Sequence, residues 1–197
     1  NKLSDLDKFA GHLPATEKLP VLFLGHGSPM NAIEENEYVT GFRSIAKTLP
    51  QVKAILCVSA HWYTKGTMVT AMEKPKTIHD FGGFPKELFN VQYPAPGDVE
   101  LAKQTKTIYN NKIELDTDWG LDHGCWSVLT HLYPKADVPV IQFSLNYKLT
   151  PNEHYNLAKQ LQSLRNKGVL IIFSNETLLY SCYRYAYKAL FKRYFRI

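Results

Sequence analysis

Apolar and polar positions alternate in blocks along this chain, and the blocks read as strands and helices in turn. VLFLGHG, from Val21, is a short apolar run that ends in glycine, which predicts a buried strand entering a loop. Residues 34 to 48 place Tyr38, Phe42, Ile45 and Leu49 on one side of a helix. AILCVSAHW, Ala54 to Trp62, is a second buried strand, and MVTAME, Met68 to Glu73, is a third candidate that could close a hairpin. Residues 75 to 97 hold four prolines and three glycines and read as a long ordered loop, a feature often tied to function in compact domains.

Helical spacing returns at residues 98 to 110, with Asp98 as N-cap, and a short helix is expected over Trp126 to Tyr133. VPVIQFSL, Val138 to Leu145, is a further buried strand. Thr150, Pro151 and Glu153 form a strong helix start, and Gly168 marks the stop near Lys167. VLIIFS, Val169 to Ser174, is the last strand. Continuous apolar strands separated by helices predict one α/β domain over residues 1–197: a central, mostly parallel sheet with helices on both faces. In such sheets, sites form beyond the carboxyl ends of the strands.

Composition narrows the function classes. Hydrophobic residues make up 45% of the 197 positions and charged residues 21%, ordinary values for a globular protein. No apolar run approaches the ~20 residues that cross a bilayer. The first twenty residues lack the apolar stretch of a secretory signal, so a cytoplasmic location is expected. Cys57, Cys125 and Cys182 are scattered and propose no disulfide framework, which fits a reducing compartment. The net charge of +5 equals the five basic residues of the last fifteen, Arg184, Lys188, Lys192, Arg193 and Arg196. Basicity confined to one terminal segment argues against a nucleic-acid surface. No membrane or nucleic-acid partner is expected, and the oligomeric state is not legible.

The candidate chemistry is histidine chemistry. His26 in LGHGSP and His61 in SAHW stand at the ends of buried strands, where an α/β sheet presents reactive groups. Neutral imidazole is a common ligand for zinc and suits ferrous iron. His79 lies in TIHDFGGFP between turn-forming and aromatic residues, with Phe81 and Phe84 offering apolar surface to an aromatic substrate. His123 follows Asp122, a carboxylate that could orient its ring for acid–base work. His131 and His154 read as packing or surface residues. GxSxG, GxGxxG, P-loop and HExxH patterns are absent. Cys125 beside His123 reads as packing rather than as a nucleophile.

LFLGHGSPMNAIEENEY, VSAHWYTKGTMVTAMEKPKTIHDFGGFPKELFNVQYPAPG and WGLDHGCW resemble the DOPA 4,5-dioxygenase-like branch of the class III extradiol dioxygenases, the LigB-like superfamily, from about Leu19 to Ser174. The resemblance implies a LigB-like α/β fold and one divalent metal, Fe(II) or Zn(II), held by His26 and His61. It implies His123 as acid/base, His79 and Phe81 beside the substrate, and extradiol cleavage of a small catechol such as DOPA with dioxygen.

The resemblance also implies a third ligand histidine, in a His-Asn pair after a Gly-Ser-Gly-Asn loop. The corresponding stretch here, FSNETLLYSCYRYAYKAL, has no histidine, and Leu179 stands near that place. Glu176 would complete a two-histidine, one-carboxylate set. The family continues past this point with a further histidine-containing segment, so a truncated C-terminus is expected, with 175–197 as an atypical basic, aromatic tail. Two other readings stay open: a catalytically impaired metal-binding remnant of the family, and a metal-dependent hydrolase on the same fold.

Overall fold

The computed structural model describes residues 15–110 and 112–175. Glu176, His12 and the basic tail lie outside the described residues. Six strands form one sheet: β1 (Val21–Gly25), β2 (Ala54–Thr64), β3 (Met68–Thr70), β4 (Glu114–Asp116), β5 (Val140–Asn146) and β6 (Val169–Asn175). Their order is β1-β6-β2-β5-β3-β4. Every pairing is parallel except β3 with β5.

Alternation along the central strands builds a core on each face. Ala54, Leu56 and Val58 of β2 join Ile141, Ile171 and Phe173 on one side. That side is covered by α3 (Val99–Ile108), α5 (Pro151–Gln160) and the 3-10 segment Leu161–Lys167. Ile55 and Cys57 join Val140, Leu170 and Ile172 on the other, under α1 (Glu37–Ala46) and α4 (His123–Leu132). The α/β architecture with two covered faces is therefore as the apolar runs predicted.

Local signals operate where they were expected. The Asp98 carboxylate accepts from the Leu101 amide at 2.8 Å and starts α3. Thr150 and Glu153 form a reciprocal capping box on α5. Gly168 ends the following turn in the left-handed region, at φ 82°.

Four expectations change. MVTAME makes no hairpin with β2; β3 lies beyond β5 and borders β4, a strand of only three residues. On α1 the buried residues are Val39 and Phe42, while Tyr38 is exposed. Helix α4 begins at His123, three residues ahead of the predicted Trp126, because Asp122 caps it by accepting from the Cys125 amide. The long loop contains one helical turn, α2 (Lys86–Phe89).

That loop is fastened to the segment entering α4. Ile78 N donates to Leu121 O at 2.7 Å, Leu121 N donates to Lys76 O at 2.9 Å, and Trp126 Nε1 donates to Ile78 O at 2.8 Å. Gly120 permits the crossing: its φ is +146°, and a Cβ there would stand 2.4 Å from Lys76 O. Gly120→Ala is expected to cost about 2 kcal/mol, as backbone strain and a backbone clash combine. Chemical denaturation of the variant checks this; an unchanged midpoint would remove the clamp from the account.

Candidate metal centre

Three histidines converge beyond the end of β1 and along the carboxyl-terminal half of β2. His26 follows β1 directly and is fully buried. Its backbone N–H donates to Asn175 O at 2.9 Å, and its ring Nδ1 lies 3.0 Å from Ser174 Oγ, both at the end of β6. His61 is placed differently from the expectation. It lies inside β2, where the pairing with β5 slips between Val58 and Tyr63. Such an irregularity re-aims side chains, and here it carries His61 toward His26. Ser59 Oγ accepts from the His61 backbone N–H at 3.2 Å.

The Nε2 atoms of His26 and His61 are 3.0 Å apart. His123, the first residue of α4, completes the group, and one nitrogen from each of the three rings falls within 4.8 Å of the others. The His61 and His123 ring centroids are 3.9 Å apart. Gly124 makes this approach possible. A Cβ there would meet Ser59 Oγ at 2.5 Å, His61 Cδ2 at 2.9 Å and His26 Cε1 at 3.3 Å. Only a residue without a side chain lets the first turn of α4 press against the two rings.

The carboxylate that holds His123 is Asp80, not its neighbour Asp122. Asp80 Oδ1 accepts from the His123 backbone N–H and faces His123 Nδ1, each at 2.9 Å. Asp80 Oδ2 stands 3.8 Å from His61 Nδ1. Burial works to raise the Asp80 carboxyl, but the hydrogen bonds from the His123 ring and backbone win and hold it below the usual carboxylate range. Asp122 is fully buried and committed elsewhere: it caps α4, accepts from Gln142 Nε2 and bonds Ser59. Burial pushes its carboxyl up to about 6. Burial first, then the neighbouring His61 and His123, lowers His26 to about 3, so its imidazole is neutral near pH 7.

Around His123 an aromatic wall forms from the loop. The Phe81 ring meets the His123 ring edge-on at 5.5 Å and touches Phe84 and Phe89. His79 packs against Phe81, Phe89 and Trp126, and its Nε2 faces Val91 O at 3.0 Å. The structure thus brings Phe81 to the histidine cluster and gives His79 ring contacts with the wall. His131 and His154 are buried packing residues; His131 Nε2 faces Asn31 O at 2.6 Å. Cys57 and Cys125 are buried free thiols, and burial pushes Cys125 up, which suits packing and not nucleophilic attack.

The donor set fits a divalent ion. Two nitrogens 3.0 Å apart can both reach one ion at about 2.1 Å, the usual distance from zinc to imidazole. A neutral His26 keeps a lone pair available, and His26 and His123 each engage a polar group through Nδ1, the outer support that metal-binding imidazoles commonly have. Fold and cluster together define an α/β protein with a candidate mononuclear metal centre at the carboxyl edge of its sheet.

Residues 20–175 match the family described as the catalytic LigB subunit of aromatic ring-opening dioxygenase, and the chain belongs to that family. It is 44% identical over 166 residues to a protein of Escherichia coli (strain K12) named 4,5-DOPA dioxygenase extradiol, covering 83% of this chain and 61% of that protein. A Beta vulgaris protein of the same name is 39% identical over 161 residues, covering 77% and 59%. The crystal structure of an uncharacterized protein from Escherichia coli K12 superposes with a TM-score of 0.67 at 39% identity, covering 79% of this chain and 59% of that one. The chain spans about three-fifths of the length of these relatives.

Two outcomes are expected. Gly124→Ala should weaken binding of Zn(II) or Co(II) by about 10- to 100-fold, the usual effect of disturbing a ligand's support, while leaving helix content unchanged. Titration calorimetry with circular dichroism reads both, and undiminished affinity would contradict the close-approach argument. The second outcome concerns acid. The folded pKa of His26, about 3, lies below its ordinary 6.5, so in that window the unfolded chain binds a proton that the folded chain does not. The stability His26 contributes is therefore complete above pH 6.5 and lost as pH falls toward 3. Asp122, raised from 3.8 to about 6, acts in the opposite sense between those values. The comparison with His26→Asn isolates the histidine: the stability advantage of the wild type should shrink by up to about 1.4 kcal/mol per pH unit on acidification. Urea unfolding of the metal-free proteins from pH 7 to 4 measures it, and parallel curves would refute the assignment.

Proposed function

We propose that this chain carries the metal-binding core of an extradiol dioxygenase that opens a catechol ring with dioxygen, with DOPA as a representative substrate. The observation that carries the reading is the convergence of His26, His61 and His123 beside an aromatic wall, in a chain of the ring-opening dioxygenase family. His26 and His61 would hold the ion, Fe(II) for ring opening or Zn(II), through their facing Nε2 atoms. When bound, the ion supplies a single positive centre at which diol and dioxygen are gathered and developing negative charge is stabilised.

The protein's own groups supply the rest. His123 donates Nδ1–H to Asp80, so Nε2 is the nitrogen left to take a proton from a catechol hydroxyl. Phe81 offers its face or edge to the ring of the substrate, and His79 supports that wall at its outer side. Ser174 holds the orientation of His26. Among the described residues no helix is long and apolar enough to cross a membrane. The free thiols Cys57 and Cys125 support a reducing compartment such as the cytoplasm.

A second reading has His123 as a third nitrogen donor, favoured by the tight grouping of all three rings. One set of variants separates the two. After anaerobic loading with Fe(II), oxygen uptake on DOPA and on simple catechols is expected. His26→Ala and His61→Ala should lose the metal. His123→Ala should keep it and lose about 10²- to 10⁴-fold in turnover, the range for general acid–base catalysis. Loss of metal in His123→Ala would establish the second reading, and a metal-loaded wild type without catechol-dependent uptake would end the proposal.

A further inference from the structure

We propose that Asp80 is the positioning residue of the centre, fixing which nitrogen of His123 faces His26 and His61. This deepens the reading of the three histidines as the reactive centre and rests on it. Asp80 stands between His79 and Phe81 in the loop, 43 positions from His123. Its Oδ1 lies 2.9 Å from two nitrogens of one residue, the ring Nδ1 and the backbone N of His123.

Those two bonds constrain different things. The backbone N–H at the start of α4 is one of the donors a helix leaves without an internal partner, so the carboxylate binds the helix terminus itself. The ring bond then sets the imidazole relative to that terminus. An ionised carboxylate only accepts, so the proton must be on His123 Nδ1 and the lone pair on Nε2. The His123 and His61 ring centroids are 3.9 Å apart, so with Nδ1 given to Asp80 that lone pair is the one left for the cluster. Oδ2 of the same carboxylate faces His61 Nδ1 at 3.8 Å, beyond hydrogen-bond reach but close enough to favour a proton on that nitrogen. Asp122 cannot substitute, being occupied by the Cys125 amide, Gln142 and Ser59.

The test reads the tautomer directly. Ring-nitrogen NMR on the metal-free full chain, labelled with ¹⁵N-histidine, is expected to show His123 protonated at Nδ1. Asp80→Ala should populate the Nε2–H form. Asp80→Asn should restore the Nδ1–H form, because its amide oxygen still accepts both N–H groups. In the iron-loaded chain, Asp80→Ala should lose about 10- to 100-fold in kcat with KM little changed, and Asp80→Asn should recover part of the loss. An Nε2–H wild type, or an Asp80→Ala variant that keeps the Nδ1–H tautomer, overturns the proposal even if the variant melts at a lower temperature. If the iron-loaded wild type consumes no oxygen with catechols, the dioxygenase reading fails, and the tautomer result still decides the role of Asp80.

Discussion

The contact on which this structure depends is the first turn of α4 pressed against the rings of His26 and His61. Three imidazoles cannot share so small a volume if all are charged, nor if any intervening atom keeps them apart. Gly124 removes the intervening atom, since a Cβ would fall 2.9 Å from His61. Burial and the neighbouring imidazoles remove the charge at His26, holding it at about 3. With those two conditions met, Nε2 of His26 and Nε2 of His61 stand 3.0 Å apart, a separation that a hydrogen bond or a shared ion can satisfy.

The rest of the chain supplies the coordinates for that contact from distant places. β1 delivers His26, and β6, its parallel neighbour, delivers Ser174 to the same level, because Gly25 and Asn175 are in register. The slip in β2 turns His61 inward at a point where a regular strand would have continued its alternation. The loop carrying Asp80 and Phe81 reaches α4 through the crossing at Gly120. Its backbone bonds at Lys76 and Ile78 lie within four residues of the carboxylate they position.

Much of this was legible in the sequence, and the reason is physical. Buried strands need apolar runs and caps need particular side chains, so VLIIFS, the Thr150–Glu153 box and Gly168 each announced their element. His26, His61 and His123 were visible because glycine and strand context set them apart. Nothing in the sequence marks Asp80, and adjacency assigns the role it fills to Asp122. Sequence adjacency made Asp122 the natural partner, yet a residue preceding a helix points its carboxylate into that helix's own amides, which is where Asp122 went. The partner came instead from a loop 43 positions away. A slip in strand pairing and a pairing of β3 with β5 also leave no mark in apolar alternation, since both depend on how neighbouring strands meet.

The two aspartates show how one fold keeps carboxylates in different states around the same histidine, one beside it in the sequence and one 43 positions away. Asp122 is fully buried with amide and hydroxyl partners, and desolvation dominates, raising it to about 6. Asp80 is half-buried, and two N–H donors from His123 outweigh its desolvation. The difference matters for the centre because a carboxylate that stays ionised acts purely as an acceptor, whereas one that takes up a proton could donate and leave the His123 tautomer undefined. Placing the ionised carboxylate on His123 and the desolvated one in the helix cap therefore gives two tasks to two carboxylates: capping the helix through the Cys125 amide, and holding one nitrogen of an imidazole open to the site.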